Sequence, residues 1–290
     1  MRKLGVLINC GPKTDVMAEF KKAVDFGMQT CQLCIWNQAT YTDEKAAEIN
    51  EAREAAGLEI STLWAGWSGP KEWNFTYGPA TLGLVPPAYR MQRLAELHNA
   101  SAFAAKIKVR QVATHVGFLP ENPDDINFTG TVAALRNLAT AMAARGQYFL
   151  FETGQETPVT MLRTIEAIGT SNLGINFDTA NLILYGKANP LDALDIFGKY
   201  VMDTHLKDGF YPTDGMKLGK QVPLGQGRAN IPAIVDKLDA LGYTGVYTIE
   251  CELKGDDKIA LIREAQDYML DLFRRKDNSD NSQATSQQLN

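Results

Sequence analysis

The sequence predicts a single (β/α)8 barrel, on three observations. Short apolar, β-branched or aromatic runs alternate with amphipathic helix-forming segments along residues 3–276. The alternation completes eight times, and no composition shift marks a second domain. Such alternation specifies a parallel sheet covered by helices, and eight units closing on themselves specify a barrel. An open doubly wound sheet is the other arrangement of these units, but no G-x-G-x-x-G follows the first run.

KLGVLIN (3–9) is the first strand, and TDVMAEFKKAVDFG follows with Val16, Phe20, Val24 and Phe26 at helical spacing. TCQLCIW precedes DEKAAEINEAREAAG, which is rich in helix formers and ends in Gly57 as a C-cap. LEISTLWAGW (58–67) leads through a long loop to the helix AYRMQRLAELHNASAFAAKI, where His98 reads as structural. QVATHVGF (111–118) precedes TVAALRNLATAMAARG. YFLFETG (148–154) precedes PVTMLRTIEAIG, with proline at the helix start. LGINFDT (173–179) leads to NPLDALDIFGKY, and YVMDTHLKDG (200–209) to a long loop and NIPAIVDKLDALG. GVYTIECEL (245–253) and DDKIALIREAQDYMLDLFRRK complete the barrel over residues 1–275. Residues 276–290 are polar, without hydrophobic periodicity, and are expected to be disordered.

Composition narrows the partners. The chain is 45% hydrophobic and 22% charged, and its net charge of −5 offers no electrostatic reason for nucleic acid or an acidic membrane as partner. The first apolar stretch is broken by Asn9, Gly11, Pro12 and Lys13, unlike a signal peptide. No run approaches the ~20 apolar residues of a membrane-spanning helix. The expectation is a cytoplasmic protein. Cys10, Cys31, Cys34 and Cys251 lie in or at the ends of strand-like runs and read as reduced, buried thiols. Cys31 and Cys34 form a CxxC, but residues three apart on a strand point to opposite faces.

Glu152, Asp178, His205 and Glu250 sit near the ends of the fifth to eighth strands. Each alone has a plainer reading: a salt-bridged or capping carboxylate, a turn cap, a hydrogen-bonded core histidine. Four at equivalent positions of consecutive barrel strands converge on one mouth, where this fold builds its active sites. Burying a carboxylate costs several kcal/mol or more unless a cation or donors compensate. Three carboxylates and an imidazole form an oxygen and nitrogen set that suits a divalent metal. His115, ending the fourth strand, is a further candidate for substrate contact on the same rim.

At these residues the chain resembles the xylose-isomerase-like barrel superfamily of sugar-phosphate isomerases and epimerases. That group also holds ketose 3-epimerases, inosose dehydratase and the apurinic endonuclease barrel. FETGQE, NFDTAN, THLKDG, VPLGQGRANI and YTIECE carry the likeness, which covers residues 1–275. It implies that Glu152, Asp178, His205 and Glu250 bind one divalent cation (Mn2+, Mg2+, Zn2+ or Co2+), with Glu152 and Glu250 also handling protons. Lys207 matches a position that often faces the site, and it lies on the same side of its strand as His205. Ketose 3-epimerases usually carry histidine where this chain has Asn181, so substrate contact there would be through an amide. The apurinic endonuclease gathers three zinc ions with many histidines, whereas this chain has three histidines in all.

The expected function is a divalent-metal-dependent sugar isomerase or epimerase, working by proton abstraction next to a carbonyl through a metal-stabilised enediolate. A dehydratase on a keto-sugar or keto-cyclitol starts from the same step, and a non-catalytic binding barrel is the third reading. The expected partner is a small sugar or sugar derivative, and the families resembled are usually homo-oligomers. Residues 64–87, with Trp64, Trp67, Trp73, Phe75 and Tyr77, suit either a lid stacking on a sugar or a subunit contact. Trp67 is the candidate contact from that loop, and Arg228 the candidate in the loop over 209–229.

Overall fold

All eight predicted runs contribute parallel strands to one closed barrel. The computed structural model describes residues 2–252 and 258–288, with the side chains of the last helix described as far as Asn278. The barrel strands are β1 (Lys3–Asn9), β2 (Thr30–Ile35), β3 (Glu59–Ala65), β4 (Gln111–Thr114), β5 (Tyr148–Glu152), β6 (Leu173–Asp178), β7 (Val201–Leu206) and β10 (Val246–Ile249). They close in the order β1-β10-β7-β6-β5-β4-β3-β2. A short antiparallel pair, β8 (Asp208–Phe210) and β9 (Lys220–Val222), lies inside the loop predicted after the seventh strand.

The helices are α1 (Val16–Asp25), α2 (Asp43–Ala56), α3 (Gly78–Thr81), α4 (Pro87–Lys106), α5 (Ile126–Ala143), α6 (Pro158–Ile168), α7 (Asn181–Leu184), α8 (Pro190–Phe197), α9 (Ile231–Ala240) and α10 (Lys258–Gln288). Their ends follow local chemistry. Asp15, Thr42, Asp125 and Thr157 accept N-terminal backbone N–H groups, and Gly57 and Gly169 end α2 and α6 in the left-handed conformation. The last helix is described as far as Gln288, within the polar segment over residues 276–290. Residue 253 of the predicted eighth run and residues 256–257 of the predicted final helix lie outside the described residues.

The main core fills the layer between strands and helices. A smaller cluster of Cys34, Trp64, Ala113 and Leu150 fills the barrel interior. Cys31 belongs to the outer cluster and Cys34 to the inner one, so the CxxC does split across the strand. All four cysteines are free. His98 contacts Asn137 across α4 and α5 at 2.9 Å. Among the described residues no helix is long and apolar enough to cross a membrane.

The strand ladder sets the level of the functional residues. Asp178 is paired directly with His205, and Glu152 with Asn176. Glu250 follows Ile249, which pairs with Leu206. Among the described residues, irregularities in the ladder fall at Cys31/Gln32 and Ile175/Asn176. Such breaks re-aim side chains, and both Gln32 and Asn176 end up beneath the mouth.

Candidate active site

Glu152, Asp178, His205 and Glu250 each offer a ligand atom, and these atoms all lie within 4.8 Å of one another. His205 Nδ1 is 3.0 Å from both Glu152 Oε1 and Glu250 Oε2. The imidazole is turned that way from below, where Gln32 Oε1 accepts from Nε2 at 2.8 Å. Gln32 is oriented in turn by its own amide, which donates to Asn176 Oδ1 at 3.0 Å. Glu152 is fixed through its second oxygen, which accepts from Trp64 Nε1 and from Asn176 Nδ2 at 3.3 Å. Asp178 Oδ1 accepts from the backbone N–H groups of Ala180 and Asn181 at 2.8 Å each. Supporting contacts of this kind fix how ligands are presented to a metal.

The donor set fits one divalent ion. Three carboxylates and one imidazole, with ligand atoms within 4.8 Å of one another, would together suit a cation that takes oxygen and nitrogen donors. Within this site, Asp178 Oδ2 and Glu250 Oε2 accept no hydrogen bond among the described residues. Lys207 Nζ lies 3.0 and 2.8 Å from them, close enough to attract but outside hydrogen-bonding geometry.

The charges are strongly interdependent. Burial opposes ionisation of Glu250, yet Lys207 and His205 hold its carboxyl well below the usual range. Burial likewise opposes the Glu152 carboxylate, but His205 and His115 lower its pKa. Burial pushes Asp178 up to about 7 against the pull of Lys207. For His205 burial disfavours the charge, but Glu152 and Glu250 raise the imidazole well above its ordinary value. A metal at Nδ1 would displace that proton.

Above this cluster lies a cavity of about 260 Å³ lined by His115, Asn181, Lys207, Trp36, Trp73 and Glu252 among others. A larger one, about 770 Å³, opens at the opposite barrel end among Lys3, Arg110 and Asp203, and none of the four candidate ligands lines it. His115 Nε2 is 3.5 Å from Glu152 Oε1, and burial lowers its pKa against the opposing pull of Glu152. Asn181 lines the cavity while its amide donates to Thr153 O at 3.2 Å.

Two predicted contacts lie elsewhere. Trp67 is buried beneath the loop, with the Arg93 guanidinium 4.1 Å over its ring, and it does not line the cavity. Its neighbour Trp73 takes the place facing His115, with ring centres 5.2 Å apart. Arg228 is exposed, its backbone donates to Gly209 O, and its side chain lies 5.9 Å from the Phe210 ring. It does not line the cavity, because its loop folds around Asp208. The Asp208 carboxylate accepts from Gly209, Gly225, Gly227 and Ala229 N–H at 2.9–3.1 Å. The backbone donors of the glycine-rich PLGQG segment are thus used on a side chain of this protein.

A Cβ on Gly227 would lie 2.1 Å from Asp208 Oδ1 and 2.4 Å from Gly209 N. Gly227→Ala should therefore destabilise by about 1–3 kcal/mol, read as a lower denaturation midpoint; an unchanged midpoint would contradict the cradle.

Glu156, closing FETGQE, is buried and accepts from Gly154 N–H at 3.1 Å. Burial pushes its pKa up to about 7, against that hydrogen bond. The unfolded value is about 4.3, so the native state binds the proton more tightly. The stabilisation is full below the unfolded pKa and is lost as pH rises through about 7. Glu156→Gln should be near neutral at pH 4 and stabilising by a few kcal/mol at most at pH 8. Denaturant titrations at both pH values check this, and a pH-independent difference would refute it.

The Xylose isomerase-like TIM barrel family matches over residues 20–272. A xylose isomerase domain protein from Planctomyces limnophilus superposes with a TM-score of 0.83 at 31% identity, covering 95% of this chain and 96% of its own. L-ribulose 3-epimerase gives 0.73 at 18%, covering 97% and 98%. The probable 3-DHS dehydratase of Bacillus anthracis gives 0.65 at 17%, covering 91% and 97%. An uncharacterized protein of Methanocaldococcus jannaschii is 30% identical over 96 residues, which span 32% of this chain and 31% of that one. The chain belongs to the Xylose isomerase-like TIM barrel family.

Proposed function

We propose that the protein is a divalent-metal-dependent isomerase or epimerase of a sugar or sugar derivative, acting by proton abstraction next to a carbonyl. The observation that carries this reading is the pair Glu152 and Glu250, at the ends of separate strands, each 3.0 Å from the same imidazole nitrogen at the floor of one cavity. The residues that would hold the ion are Glu152, Asp178, His205 and Glu250. When bound, the ion would polarise a carbonyl and stabilise the negative charge that develops as the neighbouring C–H proton leaves.

The chain's own groups do the rest. Glu152 and Glu250 approach from two strands, so one can remove a proton and the other return one. Trp64 and Asn176 occupy Glu152 Oε2 and leave Oε1 facing the cluster. Lys207 offers an ammonium to substrate oxygens, and His115 and Asn181 offer hydrogen-bonding groups at the wall. Trp36 and Trp73 supply flat apolar walls that exclude water and suit a sugar face.

Dehydration of a keto-sugar or keto-cyclitol is the second reading, favoured by the Lys207 ammonium, which can protonate a departing hydroxyl. The fold likeness to an epimerase and to a dehydratase supports a scaffold suited to both outcomes. Incubation of a ketose and keto-cyclitol panel in deuterated water with Mn2+ tests the proposal. Deuterium at the carbon beside the carbonyl, with an inverted or shifted carbinol, is expected. An unsaturated product absorbing in the ultraviolet would favour the dehydratase, and no exchange with any substrate would count against both.

A further inference from the structure

Lys207 is a cation in the middle of a cation site. Its side chain is 2% exposed, and its ammonium lies 3.0 Å from Asp178 Oδ2 and 2.8 Å from Glu250 Oε2. Among the described residues, neither of those two site oxygens accepts a hydrogen bond. An ammonium free to settle on them would compete for the lone pairs a metal needs. It is held from the other side: Nζ donates a hydrogen bond to Glu252 Oε2 at 2.8 Å. Glu252 lies two residues beyond Glu250, lines the same cavity, and its side chain is 61% exposed.

We propose that Glu252 is a positioning residue, which keeps the Lys207 ammonium hydrogen-bonded at the cavity wall so that Asp178 and Glu250 remain open to the metal. The inference rests on the metal reading given above. Coulomb attraction alone does not say where the ammonium settles, because three carboxylates surround it. A charge-assisted hydrogen bond has a direction and a length, and Glu252 supplies it. With Glu252 engaged, an incoming divalent ion meets two oxygens with unused lone pairs, and the lysine stays aimed at substrate oxygens. Without it, the ammonium turns fully into the pair and must be displaced before the ion can enter.

The test is calorimetric titration of Mn2+ into metal-stripped protein. Glu252→Gln should weaken binding roughly tenfold, the scale of one charge-assisted contact. Lys207→Met removes the competitor and should tighten binding. In the Lys207→Met background, Glu252→Gln should then change affinity less than about twofold, since the coupling runs through the lysine. Glu252→Asp keeps the charge but withdraws the carboxylate by one methylene, and should behave like Glu252→Gln. It also serves where Lys207→Met fails to fold.

Equal losses from Glu252→Gln with and without Lys207, or a Glu252→Asp protein that binds like the wild type, would reduce Glu252 to a distant charge and overturn the proposal. No Mn2+ binding by folded wild-type protein would instead overturn the metal reading itself. Raised KM with a smaller change in kcat is the accompanying kinetic signature, because Lys207 loses its aim at substrate. An unchanged KM in Glu252→Gln counts against the positioning role.

Discussion

Glu250→Gln should leave a folded barrel with turnover reduced about 10²–10⁴-fold, the range of general acid–base catalysis. The amide keeps the size of the carboxylate but can neither accept a proton nor balance the charges of Lys207 and His205. Glu250 follows its strand and belongs to neither hydrophobic cluster, so the barrel ladder survives the change. Some stability is lost as well, since a partner of the buried Lys207 charge is removed. Steady-state kinetics beside circular dichroism separates the effects. Near-normal turnover in a folded variant would sink the acid–base role.

Arg93→Met should produce the largest stability loss, about 3–5 kcal/mol. The guanidinium is fully buried and donates to four carbonyls: Ser68 O at 3.1 Å, Pro70 O at 2.8 Å, and Thr81 O and Gly83 O at 2.7 Å. It is layered between Trp67 and Tyr89, 4.1 and 4.6 Å from their ring centres. Burial lowers its pKa to about 10, with Glu96 pulling the other way, so it stays charged at neutral pH. One side chain thus gathers both ends of the segment over residues 68–83. Methionine fills part of the volume but strands four acceptors, each costing about 1–3 kcal/mol if it stays buried and unpaired. Lysine would not rescue, because a point charge cannot reproduce the planar fork. Denaturant unfolding measures the loss, and hydrogen exchange should rise across residues 66–83. A loss under about 0.5 kcal/mol would show that the segment is held by other means. Because Trp73 lies in this segment, KM should rise too.

Periodicity alone reached the barrel, because strand and helix periods differ and eight units leave little choice of closure. The ligand set was legible for a related reason: a carboxylate or imidazole ending an apolar run is conspicuous, and the fold says where strand ends go. Side-chain alternation along a strand carries further information. It leads from His205 to Lys207, and the same two-residue step leads from Glu250 to Glu252. Gln32, a polar residue within the buried run TCQLCI, was a comparable signal. Trp67 and Arg228 show where sequence stops. An aromatic in a long loop can face the cavity or the arginine that pins the loop, and only the packing of Arg93 decides. Nor does a GQG segment say whether its N–H groups await an anion or close on the Asp208 carboxylate. Trp64 was visible as an aromatic, but its role of holding Glu152 depends on strands β3 and β5 lying two apart in the barrel.

Glu152, Asp178, His205 and Glu250 are proposed to act together on one divalent ion. Calorimetric titration of Mn2+ into metal-stripped wild-type protein and into Asp178→Asn tests it most directly. One ion per chain, with binding weakened at least about tenfold by the single substitution, is the predicted result. Absence of binding to the folded wild type, or binding indifferent to the loss of Asp178, would contradict it.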